Sequence, residues 1–228
     1  MKKLFLTSAF LLGLSGIASA ADAVVLEPTP EASLAPVFTW TGGYVGLQAG
    51  YLWGDGHSSY PTGAFADPDI DGWLVGGYVG YNYQMANNIV LGIDADLAWS
   101  NADGFGDGML AGGIPVGPGT GDLYELTWSG AARLRVGYAM DRFLPYLAGG
   151  LAFGDVDVTP FTAGVAGTTV GDNMVGWTIG AGVEYAFTDN LIGRAEYRYT
   201  DFGDFDIAPG ASAELTTHDV RLGIAYKF

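Results

Sequence analysis

From Trp40 onward the chain alternates bulky apolar residues with small or polar ones, in segments of roughly ten residues separated by turn-forming stretches. Eight such segments occupy about 42–53, 72–84, 89–100, 123–138, 143–154, 174–187, 191–201 and 216–228. A period of two sends successive side chains to opposite faces of a strand. The connections alternate in length. Long ones, rich in Gly, Asp, Pro and Thr, cover about 54–71, 101–122, 155–173 and 202–215; the others are only "MANN" (85–88), "AMDR" (139–142) and "TDN" (188–190). Short turns at one end and long loops at the other are what outer-membrane barrels show. The expected fold is all-β: an eight-stranded antiparallel up-and-down transmembrane β-barrel over 40–228, with the last strand ending on the short-turn, periplasmic side.

A soluble ligand-binding barrel also alternates, with its greasy face inside. Three features separate the two. One face carries Val45, Leu47, Tyr51, Trp53, Trp73, Val75, Val79, Ile93, Leu97 and Trp99, while the other carries Gly46, Gln48, Gly50, Gly76, Gly80, Asn82, Gly92, Asp94 and Asp96. Eight strands enclose room only for modest side chains, so the bulky face must point outward, into lipid. Trp53, Trp73, Trp99, Trp128 and Trp177 fall near the loop end. Tyr81, Tyr83, Tyr138, Tyr185, Phe187, Tyr226 and Phe228 fall near the turn end, which makes two aromatic girdles. Finally, a soluble barrel needs a charged outer face, yet beyond the first 20 residues the one lysine is Lys227. Strand charges lie on the small-residue face instead: Asp94, Asp96, Glu125, Arg133, Arg135, Glu184, Arg194, Glu196, Arg198, Asp219 and Arg221. Buried charge is tolerated when paired, so these are expected to form a self-neutralising interior.

The opening "MKKLFLTSAFLLGLSGIASA" has a basic start, an apolar run and a small-residue cleavage site, the pattern of a secretory signal peptide over 1–20. An uncleaved anchor is the competing account. Residues 21–39, with Pro28, Pro30 and Pro36, read as an extended periplasmic tail. Two of the nine basic residues, Lys2 and Lys3, belong to the leader, so seven face 25 acidic ones in the rest of the chain. That balance argues against nucleic acid as a partner. The absence of cysteine excludes disulfides and Cys-based zinc sites.

The stretches "FTWTGGYVGLQAGY" (38–51), "GGYVGYNYQ" (76–84), "LPYLAGGLAFG" (144–154), "GWTIGAGVEYAF" (176–187) and "AEYRYTDFG" (195–203) stand in an order and spacing that resembles small OmpA-type barrels. More narrowly, the chain resembles the RopB-like and haemin-binding outer-membrane proteins of alphaproteobacteria. The resemblance implies the cell outer membrane and, for some members, haemin binding or contact with host surfaces. It brings no catalytic residues. A terminal aromatic, Phe228, after "HDVRLGIAYK" resembles the signal read by the outer-membrane assembly machinery.

Candidate chemistry is sparse. "DPDIDG" (67–72) begins like a calcium loop, with Asp67, Asp69 and Asp71 as oxygen donors, but its twelfth position is Tyr78 rather than Glu. A hand-type loop is excluded, which leaves a looser divalent-cation site or a solvated acidic loop. The long loops hold many acids and neither Lys nor Arg. This crown either prevents non-specific contact or is bridged by divalent cations to the phosphate-rich lipopolysaccharide leaflet. His57 and Tyr60 are the candidate haem ligands, His57 otherwise being polar filler; His218 belongs to the interfacial rim. No spaced Ser–His–acid constellation suggests an enzyme. "DFG" (201–203) and "GAG" (180–182) lack the elements that would give them meaning. No cofactor is required. The expected role is structural, in envelope integrity and surface display. Surface capture of haemin or a host ligand is the alternative, and a narrow ion-conducting porin comes after it.

Overall fold

A computed structural model describes residues 38–228; the expected leader and all but the last two residues of the tail lie outside the described residues. Eight long antiparallel strands form the wall: β1 (Gly42–Ser59), β3 (Asp69–Gln84), β4 (Ile89–Leu110), β6 (Gly121–Tyr138), β7 (Phe143–Thr162), β9 (Val170–Ala186), β10 (Leu191–Ala208) and β11 (Ala211–Lys227). Each pairs with its neighbour in chain order, and β11 pairs with β1 from Tyr44↔Lys227 to Ser59↔Ser212, closing the ring. Closure leaves no unpaired edge, the condition for a sheet to stand in hydrocarbon. Three short strands, β2 (Ala64–Ala66), β5 (Ile114–Pro115) and β8 (Val165–Ala166), decorate one rim.

At the opposite rim the three connections are tight turns. In two of them Asn88 (φ 65°) and Asp141 (φ 56°) take the left-handed conformation that short polar side chains tolerate. The first is closed by Met85 N–H donating to Ile89 O at 2.7 Å and Asn88 N–H to Met85 O at 3.0 Å.

The expected loop boundaries need correction. Most of 54–71, 101–122, 155–173 and 202–215 is strand, because the wall continues well past the lipid-facing part. The strands run to 16–22 residues, where about 9–11 suffice to cross a bilayer. Beyond the tryptophans the outward positions become Asp55, His57, Asp69, Asp71, Asp103 and Asp107. A wall facing water on the outside carries no apolar stripe, so hydrophobic alternation fades although the strand goes on.

Lipid-facing positions are bulky and exposed, as with Leu47 at 71%, Trp73 at 68% and Trp99 at 72%. Trp53, Trp73, Trp99 and Trp177 ring the loop end, and Tyr81, Tyr83, Tyr138, Tyr185, Phe187, Tyr226 and Phe228 ring the turn end. From Trp73 to Tyr83 is ten residues; at about 3.3 Å each and a tilt of roughly 40°, that spans about 25 Å, the height of an outer-membrane apolar band.

Candidate functional site

The interior is stacked in three tiers. At the turn end Trp40, Tyr44, Tyr78, Val90, Leu144 and Ile192 pack into an apolar plug. Trp40 is fully buried; its N–H donates to Gln84 Oε1 at 2.8 Å and its indole N–H to Asp141 O at 3.0 Å. At the loop end Leu52, Ile70, Leu74, Tyr124, Leu126, Val156, Val158 and Phe202 form a second plug.

Between the plugs lies a belt of five arginines and five acids. Arg133 grips Asp94 through Nε (2.9 Å) and Nη2 (3.0 Å), and reaches Glu196 through Nη1 at 2.6 Å. Arg135 and Arg194 share Glu184, at 3.0 and 2.8 Å. Arg198 and Arg221 share Asp96, with Nη2–Oδ1 at 2.9 Å and Nη1–Oδ2 at 2.9 Å, and Arg221 also pairs with Asp219. All of these side chains are essentially inaccessible. Alternate small-face positions on β4, β6, β9, β10 and β11 carry them, and antiparallel register brings them level: Asp94↔Arg133, Arg194↔Glu184, Glu196↔Arg221, Arg198↔Asp219.

Glu125 does not join the belt, contrary to expectation; its side chain is exposed. Leu126 pairs with Val156 while Trp128 pairs with Asp155, so Thr127 is an extra residue and β6 bulges there. The bulge reverses the inside–outside phase. Beyond it Tyr124 and Leu126 turn inward and Glu125 outward.

Three inward tyrosines escaped the sequence reading. Tyr44, Tyr78 and Tyr146 each lie directly across from a glycine: Gly80, Gly46 and Gly182. Their rings cage the guanidiniums, with Arg135 4.0 Å from the Tyr146 ring centroid and Arg194 4.1 Å from that of Tyr78. Tyr44 OH accepts from Arg135 Nη1 at 2.8 Å, and Tyr146 OH donates to Glu196 at 2.6 Å. The signal was present as an aromatic at an inward position opposite a glycine. A void inside the barrel beside the belt, bounded by Leu52, Ser129, Arg198, Phe202 and Arg221, measures about 10 Å³, no more than one water needs.

The other sequence candidates lie on the wall beyond the tryptophan girdle. His57 is half-exposed on the outer face, its Nδ1 2.5 Å from Asp67 Oδ1 and its ring stacked 6.2 Å from Phe65. Tyr60 turns elsewhere, its hydroxyl donating to the buried Asp122 at 2.7 Å. The two are therefore not brought together as a ligand pair. Asp67, Asp69 and Asp71 point outward at alternate positions, with Asp71 accepting from Tyr51 OH. Among the described residues no three His, Asp or Glu side chains converge on one metal position. Asp55, His57, Asp67, Asp69, Glu214 and Thr216 instead border a recess of about 340 Å³. Glu214 lies directly across the strand pairing from Asp204, and that neighbouring carboxyl raises its pKa. His218 sits in the girdle, its Nδ1 2.7 Å from Tyr197 OH and its ring stacked 5.9 Å from Trp53.

A closed antiparallel ring with a lipid-facing apolar band, two aromatic girdles and a charge-paired interior defines an outer-membrane β-barrel protein of OmpA-like type. The chain matches the family described as "Outer membrane protein beta-barrel domain" over residues 8–228, and it belongs to that family. It is 37% identical to the 25 kDa outer-membrane immunogenic protein of Brucella abortus, covering 100% of this chain and 99% of that one. It is 38% identical to the 22 kDa outer membrane protein of Rhizobium leguminosarum bv. viciae, covering 87% and 82%. Among solved structures, the outer membrane protein OprG of Pseudomonas aeruginosa superposes with a TM-score of 0.55 at 13% identity, covering 85% of this chain and 99% of that one. The two relatives are named as outer-membrane proteins rather than as enzymes, and the alphaproteobacterial outer-membrane family is the one expected from the glycine–aromatic strand motifs.

Proposed function

We propose that this protein is a non-conducting wall element of the outer membrane, exported by its leader, that stabilises the envelope and displays a rigid surface. The observation that carries the reading is the sealed interior: two apolar plugs enclose a neutralised belt, with a void of about 10 Å³. Function is thereby left to the outer surface. There the acids around the 340 Å³ recess lie on the strands just beyond the tryptophan girdle, and aromatic girdles mark the membrane interface, where headgroups sit. Phosphates of lipopolysaccharide repel such a wall unless Mg²⁺ or Ca²⁺ lies between them. Hard cations take six or more oxygens, so two wall carboxylates leave positions for phosphate and water. Delivery to the membrane would use the terminal strand ending in Phe228, read by the assembly machinery. A clean deletion should sensitise cells to detergent and to chelators, with complementation restoring resistance. A deletion strain as resistant as its parent would remove the structural role.

A second reading, haemin capture, is favoured by one contact. A carboxylate on His57 Nδ1 is the arrangement that orients a ligating imidazole and leaves Nε2 free. Titration of the folded barrel with haemin should then give a saturable Soret shift that weakens in His57→Ala and persists in Tyr60→Phe. Binding equal to that of the heat-unfolded chain would dismiss this reading.

A further inference from the structure

The mouth of the barrel contains a small cup separate from the acidic wall. It measures about 240 Å³ and is bordered by Tyr60, Ala64, Val116, Thr120, Asp122 and Pro160. Its rim is tied down: Gly164 N–H donates to Gly119 O at 2.8 Å, Ala163 N–H to Thr120 Oγ1 at 3.2 Å, and Gly108 N–H to Thr120 O at 2.7 Å. One step further in on β6, Tyr124 OH meets Ser58 Oγ at 2.7 Å above the apolar plug. The cup is therefore blind.

Its polar groups do not balance. Ser58 and Tyr124 satisfy each other. Tyr60 satisfies Asp122 Oδ1 at 2.7 Å, and burial together with that bond holds the tyrosine proton on well above its ordinary range, so Tyr60 is the donor. Asp122 Oδ2 has no hydrogen-bond partner among the described residues, although Asp122 is 1% exposed. Nor does any cation among the described residues neutralise it. Arg133, Arg135, Arg194, Arg198 and Arg221 are committed to the belt, while Arg142 and Lys227 lie at the turn end. A carboxylate out of water with one neutral donor and no counter-charge is costly, and such a group is retained where something supplies both.

We propose that this cup binds a small organic cation, a primary ammonium on a short apolar body. A turn of the Asp122 side chain presents Oδ2, which is buried in the empty cup, to the ammonium, which donates to it and neutralises it. Ala64, Val116 and Pro160 take the apolar part, and the Tyr60 ring offers a π face to the charge. The volume lies below the roughly 300 Å³ at which drug-sized pockets begin, which limits the guest to a compact amine. The site is independent of the envelope role.

The test is an amide-shift NMR titration of the ¹⁵N-labelled barrel, folded in micelles, with benzylammonium chloride and with uncharged benzyl alcohol. The expected result is saturable shifts at Tyr60, Val116, Thr120 and Asp122 with the cation, and binding at least about tenfold weaker with the alcohol. Asp122→Asn should weaken cation binding by a similar factor. Equal affinity for cation and alcohol would overturn the proposal. So would shifts confined to Asp55, Asp69 and Glu214 that vanish in salt, which would mark a diffuse attraction to the acidic wall. The comparison of two ligands on the unaltered chain needs no variant, so a failure of Asp122→Asn to fold does not shelter the proposal.

Discussion

Tyr78 lies across the β1–β3 pairing from Gly46, so close that a Cβ on Gly46 would stand 2.5 Å from Tyr78 Cζ and 2.6 Å from the Ile224 carbonyl oxygen. The glycine is the floor on which the ring rests, and the ring in turn holds Arg194. Gly46→Ala should therefore destabilise the barrel by about 1–3 kcal/mol, the usual cost of overpacking. The measurement is the urea midpoint in micelles against wild type. An unchanged midpoint would mean that the ring has room to move.

The belt leads to a sharper contrast. Arg133 serves two buried acids, Asp94 and Glu196. Removing one partner of a buried pair leaves an uncompensated charge, so Arg133→Met should cost about 3–5 kcal/mol. Glu196 keeps Arg198 at 2.9 Å, whereas Asp94 is left with Arg194 at 3.6 Å and Arg135 at 4.0 Å. Adding Asp94→Asn to that variant should therefore return part of the loss, because the poorly paired carboxylate is then gone. If the double variant is no more stable than the single one, charge pairing is not what the belt contributes.

Much of this was legible in the sequence, and the failures have physical causes. Period-two alternation located the lipid-facing wall because lipid favours apolar residues at outward positions, as at Leu47, Ala49, Tyr51 and Trp53. It lost the strands beyond Trp53 and Trp99, where water replaces lipid and Asp55 or Asp103 serves as well. Glu125 was misplaced because parity counting assumes an unbroken pleat, and one extra residue at Thr127 inverts it. The apolar plugs were missed because the inner face was read as mostly small or polar, although Leu52, Leu74 and Leu144 share its phase. Asp122 looked like one more acid in a loop; only cross-strand placement shows it buried.

Sealing has an electrical consequence. Planar bilayers containing the refolded wild type should show no steady single-channel conductance. Truncating one plug, as in Leu52→Ala with Leu126→Ala, should leave them silent, because the belt and the Trp40 plug remain in series. A reproducible ohmic conductance from the wild type would refute a closed interior.

Glu214 should make stability depend on pH. Asp204 raises its folded pKa, and Asp201 adds to the effect while His57 opposes it. A carboxyl group whose pKa is raised by folding contributes stability that is complete below its unfolded value, about 4.3, and lost as pH climbs through the folded value. The wild type should thus lose part of its margin between about pH 4 and neutrality. Glu214→Gln should shrink that difference in urea midpoint between the two pH values. Parallel pH profiles for the two proteins would show that the Glu214–Asp204 contact does not persist in solution.

The terminal residue separates folding from assembly. Phe228 is 73% exposed; its N–H donates to Gly43 O at 2.9 Å, and its ring meets Tyr226 edge-on at 5.3 Å. Phe228→Ala keeps the backbone bond and removes a ring that touches little protein, so stability in micelles should move by less than about 0.5 kcal/mol. If the ring is read by the assembly machinery, the amount of folded barrel in cellular outer membranes should nevertheless fall several-fold. Folded and unfolded forms can be counted by their different mobility before and after heating. Undiminished assembly would reduce Phe228 to one more member of the girdle. A parallel loss of stability in micelles would instead make its role structural.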